Sequence, residues 1–145
     1  MPRILAVDWG ERRIGLAISD PEGILASGLP TLEVRTRDEA LERVARVVAE
    51  EEAAAVVVGL PLLLSGEQGE AARIAAAFAD SLRERVSVPV DTYDERLTSA
   101  LSQRRMREAG LKTAGRRPKI DQGAAIALLE SYLQRARVRR ERGDA

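Results

Sequence analysis

The sequence predicts an α/β domain, a five-stranded mixed sheet flanked by helices. Three observations lead there. Three strand-like runs separated by turn signals fill the first 34 residues. Two later runs, Ala54–Leu60 and Val86–Tyr93, alternate with amphipathic helical stretches, as parallel strands do when crossover helices join them. A chain of 145 residues builds one compact core and not two. The expected order is βββαβαβαα, with residues 1–139 as a single domain and 140–145 as a disordered tail.

Arg3–Trp9 and Ile14–Ser19 are apolar runs joined by a short turn, and so read as a hairpin. Asp20-Pro21-Glu22-Gly23 has the composition of a type I turn, Pro at its second position and Gly at its fourth. It leads into a third strand near Ile24–Val34, which Pro30 confines to an edge or interrupts. Thr36 with Glu39 three residues on is a capping box. The helix it opens carries Leu41, Val44, Ala45 and Val48 on one face. Ala54–Leu60, apolar throughout, reads as a strand buried on both faces. After the loop Leu62–Gly69, a second helix turns Ile74, Ala75, Phe78 and Leu82 inward. Val86–Tyr93 is the fifth strand. A third helix is expected from about Leu97 to Ala109, stopping at Gly110. Lys112–Lys119 reads as a mobile basic loop. A last helix, from Ile120 to about Arg139, places Ala125, Leu128, Leu129, Tyr132 and Leu133 inward.

Composition removes whole classes of chemistry. Neither cysteine nor histidine is present, so thiol nucleophiles, disulfides, imidazole bases and Cys/His zinc sites are excluded. No apolar run approaches the roughly 18 residues a spanning helix needs, and no signal peptide precedes the first strand; a cytoplasmic protein without membrane contact is expected. The zero net charge hides an asymmetry: residues 1–95 carry ten Lys/Arg against 18 Asp/Glu, whereas residues 96–145 carry 13 against five. The C-terminal third is thus a candidate nucleic-acid face; for Arg135–Arg142 a solvated helix surface accounts for the charge equally well.

Three carboxylates stand in settings that ask for a reason. Asp8 ends the apolar run Ile4-Leu5-Ala6-Val7, Glu95 directly follows the fifth strand, and Asp121 opens the last helix. Burying an ionised carboxylate costs several kcal/mol, on the order of that for any isolated charge, unless donors or a cation compensate. Converging acidic oxygens suit a hard divalent cation, so the pattern points to metal-dependent attack on phosphodiesters. Each residue also has a plainer role. Asp8 can start the turn Trp9-Gly10-Glu11, Glu95 can be a first-turn acid behind an Asp94 cap, and Asp121 can cap its helix. Gly59, Gly66 and Gly69 match neither a dinucleotide fingerprint nor a Walker A sequence.

Taken together, four stretches carry a resemblance. Asp8-Trp9-Gly10-Glu11-Arg12-Arg13-Ile14-Gly15, Gly59-Leu60-Pro61-Leu62, Asp94-Glu95-Arg96-Leu97-Thr98 and Lys119-Ile120-Asp121-Gln122-Gly123-Ala124-Ala125 resemble the YqgF/RuvX family in order and spacing. The resemblance covers essentially the whole chain. It implies a ribonuclease H-like fold, related to that of Holliday-junction resolvases, and a nuclease that matures the 5′ end of pre-16S rRNA; some members are treated as junction resolvases. It matches Asp8, Glu95 and Asp121 to the family's acidic catalytic site. Leu63 and Ser65 depart from the family's pattern, so no substrate contact is carried over to them.

The chemistry agrees with that implication. Two Mg²⁺ or Mn²⁺ ions about 4 Å apart can activate water and stabilise the leaving oxygen without any histidine. Asp8 is the candidate bridging ligand, with Glu95 and Asp121 each completing one shell. Arg12, Arg13 and Arg96 are candidate phosphate contacts, as are Lys112, Arg116, Arg117 and Lys119. The expected partner is structured rRNA precursor or branched DNA, and cutting a junction on two strands would call for a homodimer. Two other readings compete. Asp8-x-Gly10…Gly15 also resembles the phosphate-binding turn of sugar kinases and actin-like ATPases, but those close two domains around a nucleotide. A non-catalytic RNA-binding assembly factor would use the same acids only as caps.

Overall fold

The computed structural model describes residues 3–98, 117–141 and 143; for 117–121, 140 and 141 it describes the backbone alone. Strands β1 (Arg3–Asp8), β2 (Arg13–Ser19) and β3 (Ala26–Glu33) lead into helix α1 (Arg37–Glu50). Strand β4 (Ala53–Leu60), helix α2 (Glu70–Arg83) and strand β5 (Val90–Asp94) follow. A 3₁₀ turn spans Glu95–Leu97, and a long helix, α3, spans Arg117–Glu141. The sheet order is β3-β2-β1-β4-β5. β1, β2 and β3 are antiparallel neighbours, while β4 lies parallel to both β1 and β5. This is the expected five-stranded mixed sheet, with Pro30 on the edge strand β3, where a missing amide donor is tolerated.

The two central strands explain their own sequences. β1 and β4 are covered on both faces, so they read as continuous apolar runs. On one face Leu5, Val7, Val56 and Val58 pack against α1 and α2 through Val44, Phe78 and Leu82. On the other, Ala6, Ala17 and Val57 meet Ala124, Ala125, Leu128 and Leu129 of α3. Alanines on both sides of that contact let α3 lie close to the sheet. Trp9 stacks on Phe78 with ring centroids 4.4 Å apart and planes at 20°, pinning the chain directly after Asp8 to α2. Among the described residues no helix is long and apolar enough to cross a membrane.

Thr36 caps α1, its Oγ1 accepting from the Glu39 amide at 3.1 Å. Glu39 reaches back one residue further than a standard capping box, its carboxylate accepting from the Arg35 amide at 2.6 Å. Replacing Thr36 with Ala should therefore cost about 1 kcal/mol of stability, read as a lower denaturant midpoint at unchanged slope.

Three boundaries and one inward-facing position depart most from the sequence expectation. β5 begins at Val90, not Val86, because the chain is still unwinding from α2: the Val86 amide donates to Leu82 at 3.1 Å, and Pro89 has no amide to donate. Ile74 is 39% exposed, since the buried stripe of α2 runs through Ala72, Ala75, Phe78, Ala79 and Leu82 and leaves Ile74 on its flank. The last helix starts at Arg117, three residues before Ile120, with Pro118 in its first turn where an amide has no intrahelical partner to lose. Arg117 and Lys119 thus sit on helical backbone and not in a loop, and the helix continues through Glu141, into the stretch expected as a tail. The helix expected over Leu97–Ala109 and the basic residues Lys112 and Arg116 lie outside the described residues, apart from Leu97 in the 3₁₀ turn and Thr98 at its end.

Candidate active site

Asp8 is the last residue of β1, the middle strand, and is 1% exposed. Strand alternation puts it on the α3 side of the sheet, two residues beyond Ala6. Its partner on β2 is Gly15. On the other flank Val7 pairs with Val58, so the next position along β4 is Gly59. Asp8 is therefore bordered on both neighbouring strands by residues without side chains. The region beside this buried carboxylate, at the C-terminal ends of β1 and β4, receives no side chain from those two positions.

Glu95 enters this region from the third parallel strand. It opens the 3₁₀ turn after β5 and is fully buried. A Cβ placed on Gly59 would overlap Oε1 of Glu95 and lie 3.0 Å from its Cγ and Cδ. The Glu95 side chain thus lies across the Gly59 backbone, about 4.8 Å (one strand spacing) from the strand that carries Asp8. Asp94, not Glu95, does the capping: its carboxylate accepts from the Arg96 amide at 2.9 Å. Two adjacent acids that look alike in sequence are divided between a structural cap and a buried carboxylate.

α3 covers this face of the sheet, and its backbone begins beside β3. The Gln122 side chain donates to the Leu29 carbonyl at 3.1 Å. Position 121 precedes the buried Ala124 and Ala125 by three and four residues. The Asp121 side chain lies outside the described residues, and among those residues no three acids close on one point.

A family model described as RuvX, Holliday junction resolvase, matches residues 2–135. The chain belongs to the RuvX family. A Chloroflexus aurantiacus protein named as a candidate pre-16S rRNA nuclease is 44% identical over 134 residues, which cover 92% of this chain and 88% of that protein. A Rhodococcus erythropolis protein of the same name is 46% identical over 137 residues, covering 90% and 77%. Among solved structures, Thermus thermophilus RuvC in complex with a Holliday junction aligns with a TM-score of 0.56 at 19% identity, covering 94% of this chain and 96% of that one. The fowlpox virus Holliday junction resolvase aligns at 0.51 and 14%, covering 92% and 99%. These likenesses establish the ribonuclease H-like fold of this RuvX member.

The basic candidates of the RuvX chain fall into different settings. Arg12 is exposed on the β1–β2 turn, beside a groove that Arg13, Glu33, Val34, Arg35 and Glu39 also line. Arg13 pairs with Glu33 at 3.0 Å. Arg96 is held internally: its Nε and one terminal nitrogen grip Asp94 at 2.7–3.1 Å, and the other donates to the Leu64 carbonyl at 3.3 Å. It thereby ties the β4–α2 loop to the end of β5, a role its sequence position did not reveal. The Arg96 guanidinium holds the Asp94 carboxyl below the usual carboxylate range. A depressed folded-state pKa gives stability that is complete above the unfolded value near 3.8 and is lost as pH falls through the folded value. Arg96→Ala should remove that contribution, so its melting temperature should differ from wild type at pH 5 and converge on it toward pH 2. Parallel curves over that range would show that the pair adds nothing.

Proposed function

We propose that this RuvX chain is a divalent-metal-dependent endonuclease that hydrolyses phosphodiester bonds, with maturation of the 5′ end of pre-16S rRNA as its task. The observation that carries the reading is the burial of Asp8 and Glu95 on one face of the sheet, around Gly15 and Gly59, which supply no side chain. The naming of relatives more than 40% identical supports the substrate.

The residues fit a hard divalent cation. The donors are carboxylate oxygens, Gly59 lets the Glu95 carboxylate lie against β4, and neither thiolate nor imidazole competes. Asp8, Glu95 and Asp121 would hold Mg²⁺ or Mn²⁺, which when bound supplies an activated water and neutralises charge growing on the leaving oxygen. Asp8, fixed by the central strand and by the Trp9–Phe78 stack, sets where the phosphate must lie. Glu95 approaches from the β5 side, and Asp121 is carried on the backbone of the covering helix. Arg12 and Arg13 stand on the turn directly after Asp8, where guanidinium groups orient phosphate oxygens. Lys112, Arg116, Arg117 and Lys119 precede Asp121 and extend the basic contact along the backbone.

A second reading, cleavage of four-way DNA junctions, uses the same chemistry and is favoured by the family model's description and by the fold shared with RuvC. A cleavage assay decides between them. RNA spanning the 16S 5′ leader and a DNA junction are offered separately with Mn²⁺, with Asp8→Asn as control. Cutting of the RNA alone supports rRNA maturation; cutting of the junction alone assigns the second reading. No Asp8-dependent cutting of either sinks both.

A further inference from the structure

A second basic surface lies on the opposite flank of the site from Arg12. Leu97, Ser131, Gln134, Arg135, Val138 and Arg139 enclose a groove of about 440 Å³ between the end of β5 and α3. Leu97 belongs to the same 3₁₀ turn as Glu95, so the groove borders the turn that carries one of the buried carboxylates. Residues 131, 135 and 138–139 repeat at one-turn intervals and share one face of α3. None of the six lining residues is acidic, and among the described residues no ion pair engages Arg135 or Arg139. Of the nearby acids, Asp94 is gripped by Arg96 and also feels the charge of Arg135, and Asp91 accepts from the Tyr132 hydroxyl at 3.3 Å.

The groove is also braced. The Arg135 guanidinium lies 5.9 Å from the centroid of the Tyr93 ring, a cation–π distance. Tyr93 meets Tyr132 edge-on at 5.7 Å, and its hydroxyl shares a 2.9 Å hydrogen bond with Ser131. Tyr93 lies on β5, two residues before Glu95 in the 3₁₀ turn, so the brace that orients Arg135 runs into the turn that carries Glu95. Two guanidinium groups a helical turn apart, an amide and a hydroxyl are donors for successive phosphates of one strand. The exposed Leu97 and Val138 offer apolar contact to sugars between them.

We propose that this α3–β5 groove binds the sugar-phosphate backbone of the substrate beyond the scissile bond, without reading its sequence. The proposal rests on the nuclease reading for the identity of the ligand, but its test does not depend on cleavage. Binding of a fluorescent 16S leader RNA is measured across a salt series in the Asp8→Asn background, with and without Arg135→Gln/Arg139→Gln. Loss of two phosphate contacts should weaken binding roughly 10-fold or more near 0.1 M salt and lower the slope of log K against log salt by about 1.4–1.8. Arg135→Lys/Arg139→Lys should restore most of the slope, and Arg73→Gln on α2 should leave it at the control value. With Asp8 intact, the double Gln variant should raise KM while kcat stays within about twofold, and a substrate trimmed at its flank should erase the difference. An unchanged salt slope in the double Gln variant overturns the groove, as does a fall in kcat at constant KM. A lowered slope in a protein whose Asp8-intact form cuts neither substrate keeps the groove and removes the nuclease reading.

Discussion

Asp8→Asn should abolish metal-dependent cleavage while leaving the metal-free protein as stable as wild type, or more so. The carboxylate is buried at the end of the central strand, with glycines on both adjoining strands and the Glu95 carboxylate lying over one of them. Like charges carried on one face of the sheet repel, so removing the Asp8 charge should relieve repulsion in the metal-free protein. Loss of a metal ligand at the reacting phosphate should reduce the rate at least about 10³-fold, equal to about 4 kcal/mol of barrier. A turn-forming Asp behaves in the opposite way, because replacing it lowers stability and spares the chemistry. Thermal melts without metal, paired with single-turnover cleavage in Mn²⁺, separate the two. Intact cleavage in a destabilised Asp8→Asn protein would return Asp8 to the role of a turn residue.

Gly59→Ala should be the second large effect, in a residue that bears no functional group. A glycine inside a strand ordinarily weakens it by roughly 0.5–1 kcal/mol relative to alanine, so the substitution ought to stabilise β4. Here the new methyl would fall 3.0 Å from Cγ and Cδ of Glu95, and the buried side chain must swing aside. A carboxylate displaced by an ångström or so from its productive position should cost about 10²-fold in kcat. The expected pair of results is near-normal stability with a crippled rate. Wild-type turnover in Gly59→Ala would show that the position of Glu95 over β4 is immaterial to catalysis.

Much of the fold was legible because burial demands simple patterns. The alternation of apolar strands with helical periodicity set the sheet and its helices, and Thr36 announced α1. What failed were places where a neighbour decided the matter. Val86 and Val88 have strand-like side chains and still pack against the core, yet their backbone belongs to the exit from α2. Ile74 is apolar, but the stripe of small residues around Phe78 already fills the contact with the sheet.

The site was legible in part for the same reason. An acid ending the run Ile4–Val7 was expected to be covered, and it is. Asp94 was expected as the cap with Glu95 behind it, and the folded chain has Asp94 capping and Glu95 buried, which the sequence left open. Gly59 was the usable clue, because a glycine in an otherwise unbroken apolar strand marks close approach by another group. In the sequence it stood at the end of the fourth strand and in one of the four resembling stretches, and it matched no phosphate loop. The tie from Arg96 to the Leu64 carbonyl was not legible, because it spans 32 positions of the chain.

The central claim is that Asp8, Glu95 and Asp121 share one cation site. Calorimetric titration with Mn²⁺ tests it most directly, comparing the full-length protein with Asp8→Asn, Glu95→Gln and Asp121→Asn, each checked for unchanged folding. The account predicts measurable Mn²⁺ binding by the wild type, weakened at least about tenfold, or 1.4 kcal/mol, by each of the three substitutions. Asp121→Asn binding Mn²⁺ as the wild type does, while the other two lose it, would contradict the three-carboxylate site.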